Sequence, residues 1–493
     1  MGKSSTPSYV IKLKLNTNTH HDHVLAKRFY YGQQIYNVLA RHARKQIFNM
    51  QSDKEYQRLI SQYVELKGGK PDVKKARAEI GKELSKIRLY YGLSEYQFHS
   101  YVTKSQYRYK KHIDSHVAQK IASAVWKATE KVIFDNGKRV HFRKYDDFLS
   151  MEGKNNVTGI RYVDGKFLWG KLEISVQHDK KDLYQQIGLQ SRVKYCRIKR
   201  QVLGAKYHYY LELIIEGIPP IKHVIGVGEV GIDIGTSTIA VVSKEHCILD
   251  ELAKDVISIE KEKRILQRKM NRSRRTTNPD NYNVNGTVKK NCKWVKSNSY
   301  RKLNIKHKAL CHKRAAIMKQ SHEILANEIL ELGDIIRVER MSFSGLAKKS
   351  KNQKRGKSGK YKSRKRFGKS IQNRAPSMLL SIIDRKLKYH NQKLIKVDTV
   401  KFRASQYNHV TDDYVKKKLN HRYTMIDNNK IQRDLYSAFL IMNSNDKNTA
   451  SDRDKCLETF NNFKILHNIC INSLLTQNHK YPSSMGLKYF CNC

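Results

Sequence analysis

The stretch Val230-Gly-Ile-Asp-Ile-Gly-Thr-Ser-Thr-Ile-Ala-Val-Val-Ser243 places an acidic residue, Asp233, inside an otherwise apolar run. The isoleucines and valines on either side of Gly-Thr-Ser-Thr are typical of two short β-strands joined by a tight turn. A buried carboxylate without a partner is energetically costly, so Asp233 needs a group that balances its charge. The segment therefore predicts a β-hairpin in which Asp233 interacts with a group that balances its charge, and a metal ion is one natural partner.

Three interpretations of this hairpin remain open when its residues are considered alone. A Gly-x-Asp-x-Gly-Thr turn occurs in nucleases that hold Mg²⁺, and also in sugar kinases and actin-like ATPases, where the turn meets ATP phosphates. In the third interpretation, Asp233 only caps the turn by accepting backbone N–H groups. The rest of the chain has to distinguish among them.

Net charge favours a nucleic-acid partner. The 493 residues include 97 Lys and Arg against 44 Asp and Glu, which leaves a formal charge of +53. Such a charge calls for a polyanion, and nucleic acid is the best candidate at this length. No apolar run reaches the about 18 residues of a membrane span, and no apolar signal core follows Met1. Eight cysteines without a Cys-x-x-Cys pair suit a reducing cytoplasm and give no obvious zinc site.

The sequence pattern predicts that the first part of the chain is a β module interrupted by helices. Residues 8–15 alternate apolar and polar side chains, and the pattern then becomes helical. Short alternating runs bounded by Gly and Asp return after residue 140. We therefore predict a small β-barrel that begins at 1–19, is interrupted by a helical block at 20–137 and resumes at 138–222.

A mixed α/β domain is predicted from the Asp233 hairpin onward. It covers 223–400, and a helical excursion at 258–332 returns the chain to the sheet through the apolar run before Glu339. The segments that follow are 401–430, a last helix at 431–445 and a helical tail at 446–493. The predicted fold class is thus α/β, joined to separate α and β modules.

A basic loop at 348–374 carries thirteen Lys or Arg among 27 residues and no acid. Charge runs are usually solvated, partly disordered loops, but the glycines and serines of this one would let it follow a phosphate backbone. We predict an arm that orders on RNA or DNA. Its candidate nucleic-acid contacts are Lys348, Lys349, Lys354, Arg355, Lys360, Lys362, Arg364, Lys365 and Arg366.

Two further acids extend the Asp233 observation into a pattern. Glu339 ends the apolar run 335–338, and Asp434 falls in the first turn of a predicted helix, where the helix dipole favours an acid. An RNase H-like sheet would bring Asp233, Glu339 and Asp434 to one edge. Mg²⁺ prefers carboxylate and water oxygens, and two such ions can activate a water and stabilise a leaving 3′ oxygen.

At these residues the chain resembles a known family. Gly231–Thr236, Val338–Leu346 and Gln432–Phe439 look like the three RuvC motifs of TnpB nucleases and compact type V CRISPR effectors, with Phe402–Gln406 as a supporting match. The resemblance implies an RNase H-like RuvC domain that is split in sequence. It also implies that the N-terminal β-barrel is a wedge module with an inserted helical recognition block.

The same resemblance implies an RNA-guided DNA endonuclease in a prokaryotic cytoplasm. A guide RNA would pair with one strand of a double-stranded DNA target next to a short flanking motif, and a single RuvC site would cut. Asp233, Glu339 and Asp434 would hold two Mg²⁺ ions. Arg433 would contact the scissile phosphate, or would only form a surface salt bridge.

The chain departs from this family in two places. Many members have a four-cysteine zinc finger where 401–430 contains no cysteine, so we predict no zinc and a lid held by packing or by nucleic acid. His409 and His421, which remain there, are expected to be polar surface residues. Tyr436-Ser437 replaces the more usual Asn-Ala after Asp434, and Cys491 and Cys493 are expected to lie in a frayed tail.

Two alternative functions stay open. An RNA-guided DNA-binding repressor that no longer cuts would share the charge, but such proteins usually lose one of the acids. A generic basic RNA-binding protein needs only the charge, and its binding would not depend on a guide sequence.

Overall fold

The structure is a computed structural model. It describes every residue except 1–5, 67, 69–70, 136, 180, 205, 221–223, 349–351, 353–366, 419–420, 478–480 and 488–493. The chain divides into two compact units, Met1–Pro220 and Ile221–Cys493. Each unit has its own arrangement of strands and helices.

The first unit begins with a strand, continues with five helices and ends with strands. Strand β1 (Ser8–Leu15) buries every second residue, as its alternating sequence predicts. The helices are α1 (Thr19–Ser52), α2 (Lys54–Glu65), α3 (Pro71–Tyr90), α4 (Glu95–Arg108) and α5 (Ser115–Ile133). The remaining elements are β2 (Ser150–Glu152), β3 (Ile160–Val163), β4 (Lys166–Trp169), β5 (Leu172–Gln177), the short helix α6 (Leu183–Leu189), β6 (Val193–Leu203) and β7 (Lys206–Glu216).

These strands form one antiparallel sheet in the order β2-β6-β7-β1-β5-β4-β3. Strand β1 lies in the middle, although the whole helical block separates it from its partners β5 and β7 along the chain. Apolar residues of the sheet and of the helices share one core, in which Leu13 of β1 and Phe29 of α1 are both fully buried. The hydrogen-bonded order is linear among the described strands, so closure into a barrel stays a prediction.

The second unit is a mixed α/β fold. Its first elements are β8 (Glu229–Ile234), β9 (Thr238–Ser243), β10 (Cys247–Glu251), α7 (Val256–Thr277), α8 (Asn298–Glu331), β11 (Ile335–Glu339), α9 (Phe343–Ala347), α10 (Gly368–Arg374), α11 (Pro376–Tyr389) and β12 (Ile395–Val397). They are followed by α12 (Thr399–Phe402), β13 (Tyr407–Asn408), β14 (Asp413–Tyr414), β15 (Tyr423–Ile426), β16 (Asn429–Gln432), α13 (Arg433–Met442) and α14 (Arg453–Thr476). The predicted helical excursion corresponds to α7 and α8.

The sheet that carries Asp233 has five strands in the order β10-β9-β8-β11-β12. Strands β10, β9 and β8 are antiparallel, whereas β11 runs parallel to both β8 and β12. One face packs against α8 and α11 through residues such as Ile232 and Val241. The other face packs against α13 and α14 through Ala240 and Val242. The sheet is therefore the middle layer of three.

Helix α13 is the central helix of this unit. All eight residues from Leu435 to Met442 are buried, because the sheet covers one side of the helix and α14 packs against another. A helix that is apolar all round is stable only when it is enclosed in this way. In the described part of the chain, no helix is long and apolar enough to cross a membrane.

Candidate functional site

Asp233 and Glu339 lie at the ends of neighbouring parallel strands. The strand register pairs Val338 of β11 with Ile232 of β8, so the next residues on the two strands are Glu339 and Asp233. The predicted hairpin is confirmed, since Asp233 lies opposite Ala240 of β9 and the Gly235 N–H donates to the Thr238 carbonyl at 2.9 Å. The fold thus brings together two acids that are far apart in sequence.

Asp434 approaches the same edge from the start of α13. The Gln432 side chain caps this helix: its Oε1 accepts from the Leu435 N–H at 2.7 Å, and its Nε2 donates to Asp434 Oδ2 at 3.4 Å. Gly231, two residues before Asp233, lets the helix lie directly on β8. A Cβ there would clash with the Ala438 carbonyl oxygen and the Met442 backbone nitrogen.

All three carboxyl groups have a raised proton affinity, mainly because they are buried. Burial raises the pKa of Asp233 well above its usual value, and the charges of Asp434 and Glu339 raise it further, while Arg433 opposes the shift. Burial raises the pKa of Glu339 to about 7. Burial also raises the pKa of Asp434, against the opposing effect of Arg433. The edge therefore holds more negative charge than its protein surroundings neutralise.

Asp233 and Glu339 lack direct hydrogen-bond and salt-bridge partners in the part of the chain that the structure describes. The interpretation of Asp233 as a simple turn cap is therefore wrong, because no described backbone N–H donates to its side chain. Partly buried carboxylates without a donor indicate a site for a cation or for a proton.

The donor set fits a hard divalent cation better than a soft one. All three side chains offer oxygen, and Mg²⁺ is commonly bound through one or two carboxylates with several waters retained. No three Cys, His, Asp or Glu side chains of the described chain already form a ready-made metal group. Asp434 and Glu339 nevertheless lie close enough to Asp233 to raise its pKa.

Arg433 interacts with protein groups beside Asp434. Its Nε lies 3.7 Å from Asp434 Oδ1, and its Nη1 donates to the His421 carbonyl at 3.3 Å. Only 12% of its side chain is exposed, so this salt bridge is not at the surface. The predicted contact between Arg433 and a scissile phosphate stays a prediction.

The basic loop begins and ends beside the acidic edge. Helix α9 follows the strand of Glu339, and Lys348 is exposed directly after it. At the other end, the last seven residues of the predicted loop form helix α10 instead. This helix is fixed to the hairpin turn, since Ser370 Oγ donates to the Thr236 carbonyl at 2.9 Å. The other predicted contacts, Lys349, Lys354, Arg355, Lys360, Lys362, Arg364, Lys365 and Arg366, lie outside the described residues.

The cysteine-free lid is connected to α13 through a buried histidine. His409 is fully buried, so its prediction as a surface residue is wrong, whereas His421 is exposed as predicted. His409 Nδ1 lies 2.7 Å from the Tyr436 hydroxyl, which also accepts from the His409 backbone N–H at 3.2 Å. Burial, together with Arg453, lowers the pKa of His409 to about 4, so its ring is neutral at physiological pH. Tyr436, the residue that departs from the family pattern, thus holds this lid to the helix of Asp434.

One residue near the site, His467, was missed in the sequence. His467 of α14 accepts the Gln432 backbone N–H through Nε2 at 3.0 Å, and so supports the residue that caps α13. Leu457 and Ile469 share the helical spacing of the apolar residues in α14, but both are exposed. The buried face consists of Cys456, Phe460, Phe463, His467 and Ile471. This spacing is helical, but it includes a cysteine and a histidine that a search for apolar residues passes over.

Comparison with known proteins finds distant similarities to solved structures. No protein-family model and no curated protein matches the chain. A Cas12f1–sgRNA–target DNA complex is 14% identical over 90% of this chain and 99% of that one, with a TM-score of 0.43. A CRISPR-Cas12f ternary complex is 15% identical over 86% of this chain and 82% of that one, with a TM-score of 0.28. A Cas12i–crRNA–dsDNA complex is 11% identical over 90% of this chain and 64% of that one, with a TM-score of 0.26.

Proposed function

We propose that this chain is an RNA-guided DNA endonuclease with one RuvC-type site at Asp233, Glu339 and Asp434. The observation that carries the proposal is the convergence of three acids at one sheet edge, two of which have no hydrogen-bond or salt-bridge partner among the described residues. The strand order β10-β9-β8-β11-β12, with three antiparallel strands followed by two parallel ones, supports an RNase H-like domain split in sequence. In this proposal the first unit supplies the wedge strands and the inserted recognition helices.

Divalent metal is the cofactor that the site is best suited to hold. Asp233, Glu339 and Asp434 would bind Mg²⁺, expected as two ions, which when bound would make a water more acidic and stabilise the charge on a leaving oxygen. The protein itself contributes orientation. Gly231 sets the distance between α13 and β8, and Gln432 holds the first turn that carries Asp434. Arg433 lies beside Asp434, where a guanidinium can compensate for added phosphate charge.

Guide RNA and a double-stranded DNA target are the proposed partners. The net charge of +53 supports binding to a large polyanion, and the basic loop at 348–374 begins and ends next to the acidic edge. This arrangement would lead a phosphate backbone toward the carboxylates. Without a bound cation, the same carboxylates would repel that backbone, so binding and metal loading should cooperate.

The proposal is tested by cleavage of a matched DNA duplex. The full chain, assembled with its guide RNA, should cut the duplex in Mg²⁺, and Asp233→Ala should reduce the rate by at least about a thousandfold, a loss of about 4 kcal/mol in transition-state stabilisation. Asp250→Ala is the matched control, because Asp250 is an acid of the same sheet that pairs with Lys254. Cutting by Asp233→Ala at the parent rate would refute the assignment.

A guided DNA-binding protein that does not cut is the second candidate. The net charge of +53 supports it as well, because nucleic-acid binding does not require cleavage. It predicts guide-dependent binding, abolished by mismatches near the flanking motif, with an intact duplex at every Mg²⁺ concentration. A generic RNA-binding protein would instead ignore the guide sequence.

A further inference from the structure

An open cavity of about 720 Å³ in the first unit is lined by aromatic and amide side chains. It lies between α1, the turn after α3 and α4. Its lining residues are His42, Gln46, Asn49, Tyr90, Tyr91, Gly92, Gln97, Ser100, Tyr101 and Lys104. None of these described residues is acidic, so the cavity suits a polyanion and not a metal ion.

Exposed aromatic rings form one part of the cavity. The rings of His42 and Tyr101 are stacked, with centroids 3.7 Å apart and an interplanar angle of 13°. Tyr101 nevertheless remains 39% exposed, and Tyr90, across the cavity, is 83% exposed. Large aromatic surface left in water next to a stacked pair is typical of sites that accept a flat ligand ring.

Polar side chains with free hydrogen-bonding groups form the other part. Gln46 and Asn49 follow His42 by one and two helical turns, so all three lie on the same side of α1. Within the described structure, neither amide has a hydrogen-bond partner. Lys104 follows Tyr101 by one turn of α4 and is exposed. Burial and the nearby Lys45 lower the pKa of His42, which favours a neutral imidazole in the stack.

We propose that this cavity binds one unpaired base of a nucleic-acid strand. The base would stack on Tyr90 or Tyr101, its edge would meet the amides of Gln46 and Asn49, and Lys104 would contact a neighbouring phosphate. The amides offer both donors and acceptors, which suits the edge of a purine or a pyrimidine. The inference goes beyond the proposed function, since base binding here does not require cleavage or the carboxylates of the second unit.

Photocrosslinking tests the contact directly with the full chain. Short single-stranded DNA and RNA probes of one sequence carry 5-iodouracil and are irradiated with the protein in EDTA, so that no cutting occurs. Peptide mapping should find crosslinks at His42, Tyr90 or Tyr101, and the two probes show whether DNA or RNA supplies the base. Crosslinks confined to other segments would overturn the proposal.

Variants measure the energetic contribution of stacking. Tyr90→Ala and Tyr101→Ala should each weaken binding of a base-bearing single strand by about fivefold or more, the lower range for stacking one base. Binding of an abasic strand and of a fully paired duplex should change little, because neither presents an unpaired base. Tyr96→Ala is the matched control, since Tyr96 is 82% exposed on α4 but does not line the cavity.

The ratio of the affinity for the base-bearing strand to the affinity for the abasic strand distinguishes base binding from a general loss of structure. Misfolding would weaken the binding of both strands equally, while loss of stacking would weaken only the binding of the base-bearing strand. An unchanged ratio in both variants would refute the proposal, as would an equal loss for the duplex. Asp233→Ala should leave the ratio intact, so this test can succeed or fail independently of nuclease activity.

Discussion

At the scale of single residues, the most unusual feature is a carboxylate whose ionised form the fold disfavours. Glu339 has a pKa of about 7 against an ordinary 4.5, because burial penalises its charge. Between these two pH values the folded chain binds more protons than the unfolded chain. The stability of the metal-free protein should therefore fall as pH rises from 4.5 to about 7 and remain low above that range.

Removal of this charge should stabilise the protein when no metal is present. We expect Glu339→Gln in EDTA at pH 8 to raise the free energy of unfolding by about 1–3 kcal/mol. The gain should shrink as pH falls and vanish well below pH 4.5, where Glu339 is protonated in both the folded and the unfolded state. Added Mg²⁺ should then stabilise the parent more than the variant.

Denaturant titrations with and without Mg²⁺ provide this measurement. Glu245→Gln is the control, because Glu245 is an exposed acid at the other end of the same sheet. A Glu339→Gln protein that is less stable than the parent in EDTA at pH 8 would contradict the burial argument. Equal responses to Mg²⁺ would argue against Glu339 as a ligand.

Gly231 provides a second prediction at this scale. Its missing side chain lets α13 lie on β8, so Gly231→Ala must push the Ala438 and Met442 backbone away from the strand. We expect a loss of about 1–3 kcal/mol in stability from overpacking, and weaker cleavage because Asp434 moves with the helix. Gly81→Ala is the control, since no atom would contact its added methyl, and an alanine there should help α3. Parent-like stability and cleavage in Gly231→Ala would show that the close approach is unimportant.

At the scale of elements, the lid and α13 behave as one packed group. The Tyr436 hydroxyl lies 2.7 Å from His409 Nδ1, and the His409 ring packs edge-on against Phe460 of α14. A zinc finger would hold such a lid with thiolates, whereas here an aromatic cluster and one buried hydrogen-bonded pair connect it to the helix. The two departures from the family pattern are therefore in direct contact.

Tyr436→Phe should loosen the lid without removing any carboxylate. It leaves the buried His409 ring without its partner, which costs about 1–3 kcal/mol. We expect faster amide hydrogen exchange across 404–416, measured by mass spectrometry. Tyr414→Phe is the control, because the Tyr414 hydroxyl has no hydrogen-bond partner in the described chain and lies in the same lid. Unchanged exchange in Tyr436→Phe would show that packing alone holds the lid.

The strongly patterned elements could be predicted from the sequence, and the residues that satisfy buried polar groups could not. The β8–β9 hairpin and α13 follow from local periodicity, since neighbouring residues determine strand and helix patterns. The burial of His409 depends on Tyr436, which lies 27 residues later, and local patterns do not reveal such pairs. The burial of His467 was missed for the same reason, because its partner is the Gln432 backbone.

At the scale of the whole molecule, the charge of +53 should dominate nucleic-acid affinity. The logarithm of the binding constant should fall with the logarithm of salt concentration by about 0.7 to 0.9 for each phosphate contacted. Replacement of Lys360, Lys362 and Arg364 with glutamine should reduce the slope by up to about this amount per residue. Filter binding over a range of salt concentrations measures it.

The control replaces lysines that already have an acidic partner. Lys86, Lys166 and Lys388 pair with Glu83, Glu173 and Asp384, so glutamine at these positions should change the slope less. Equal changes in the two triple variants would mean that net charge, and not the basic loop, determines affinity.

The positions of the three acids along the sequence also determine when the site can form during protein synthesis. Asp233 and Asp434 are separated by about 200 residues, which a ribosome adds in about 10–40 s at typical speeds. Until α13 has left the exit tunnel, the sheet face that it covers stays open and Asp233 has no neighbour from this helix. A translational pause between these codons would prolong the exposure of an apolar sheet face, so the yield of folded protein should depend on elongation rate across this interval.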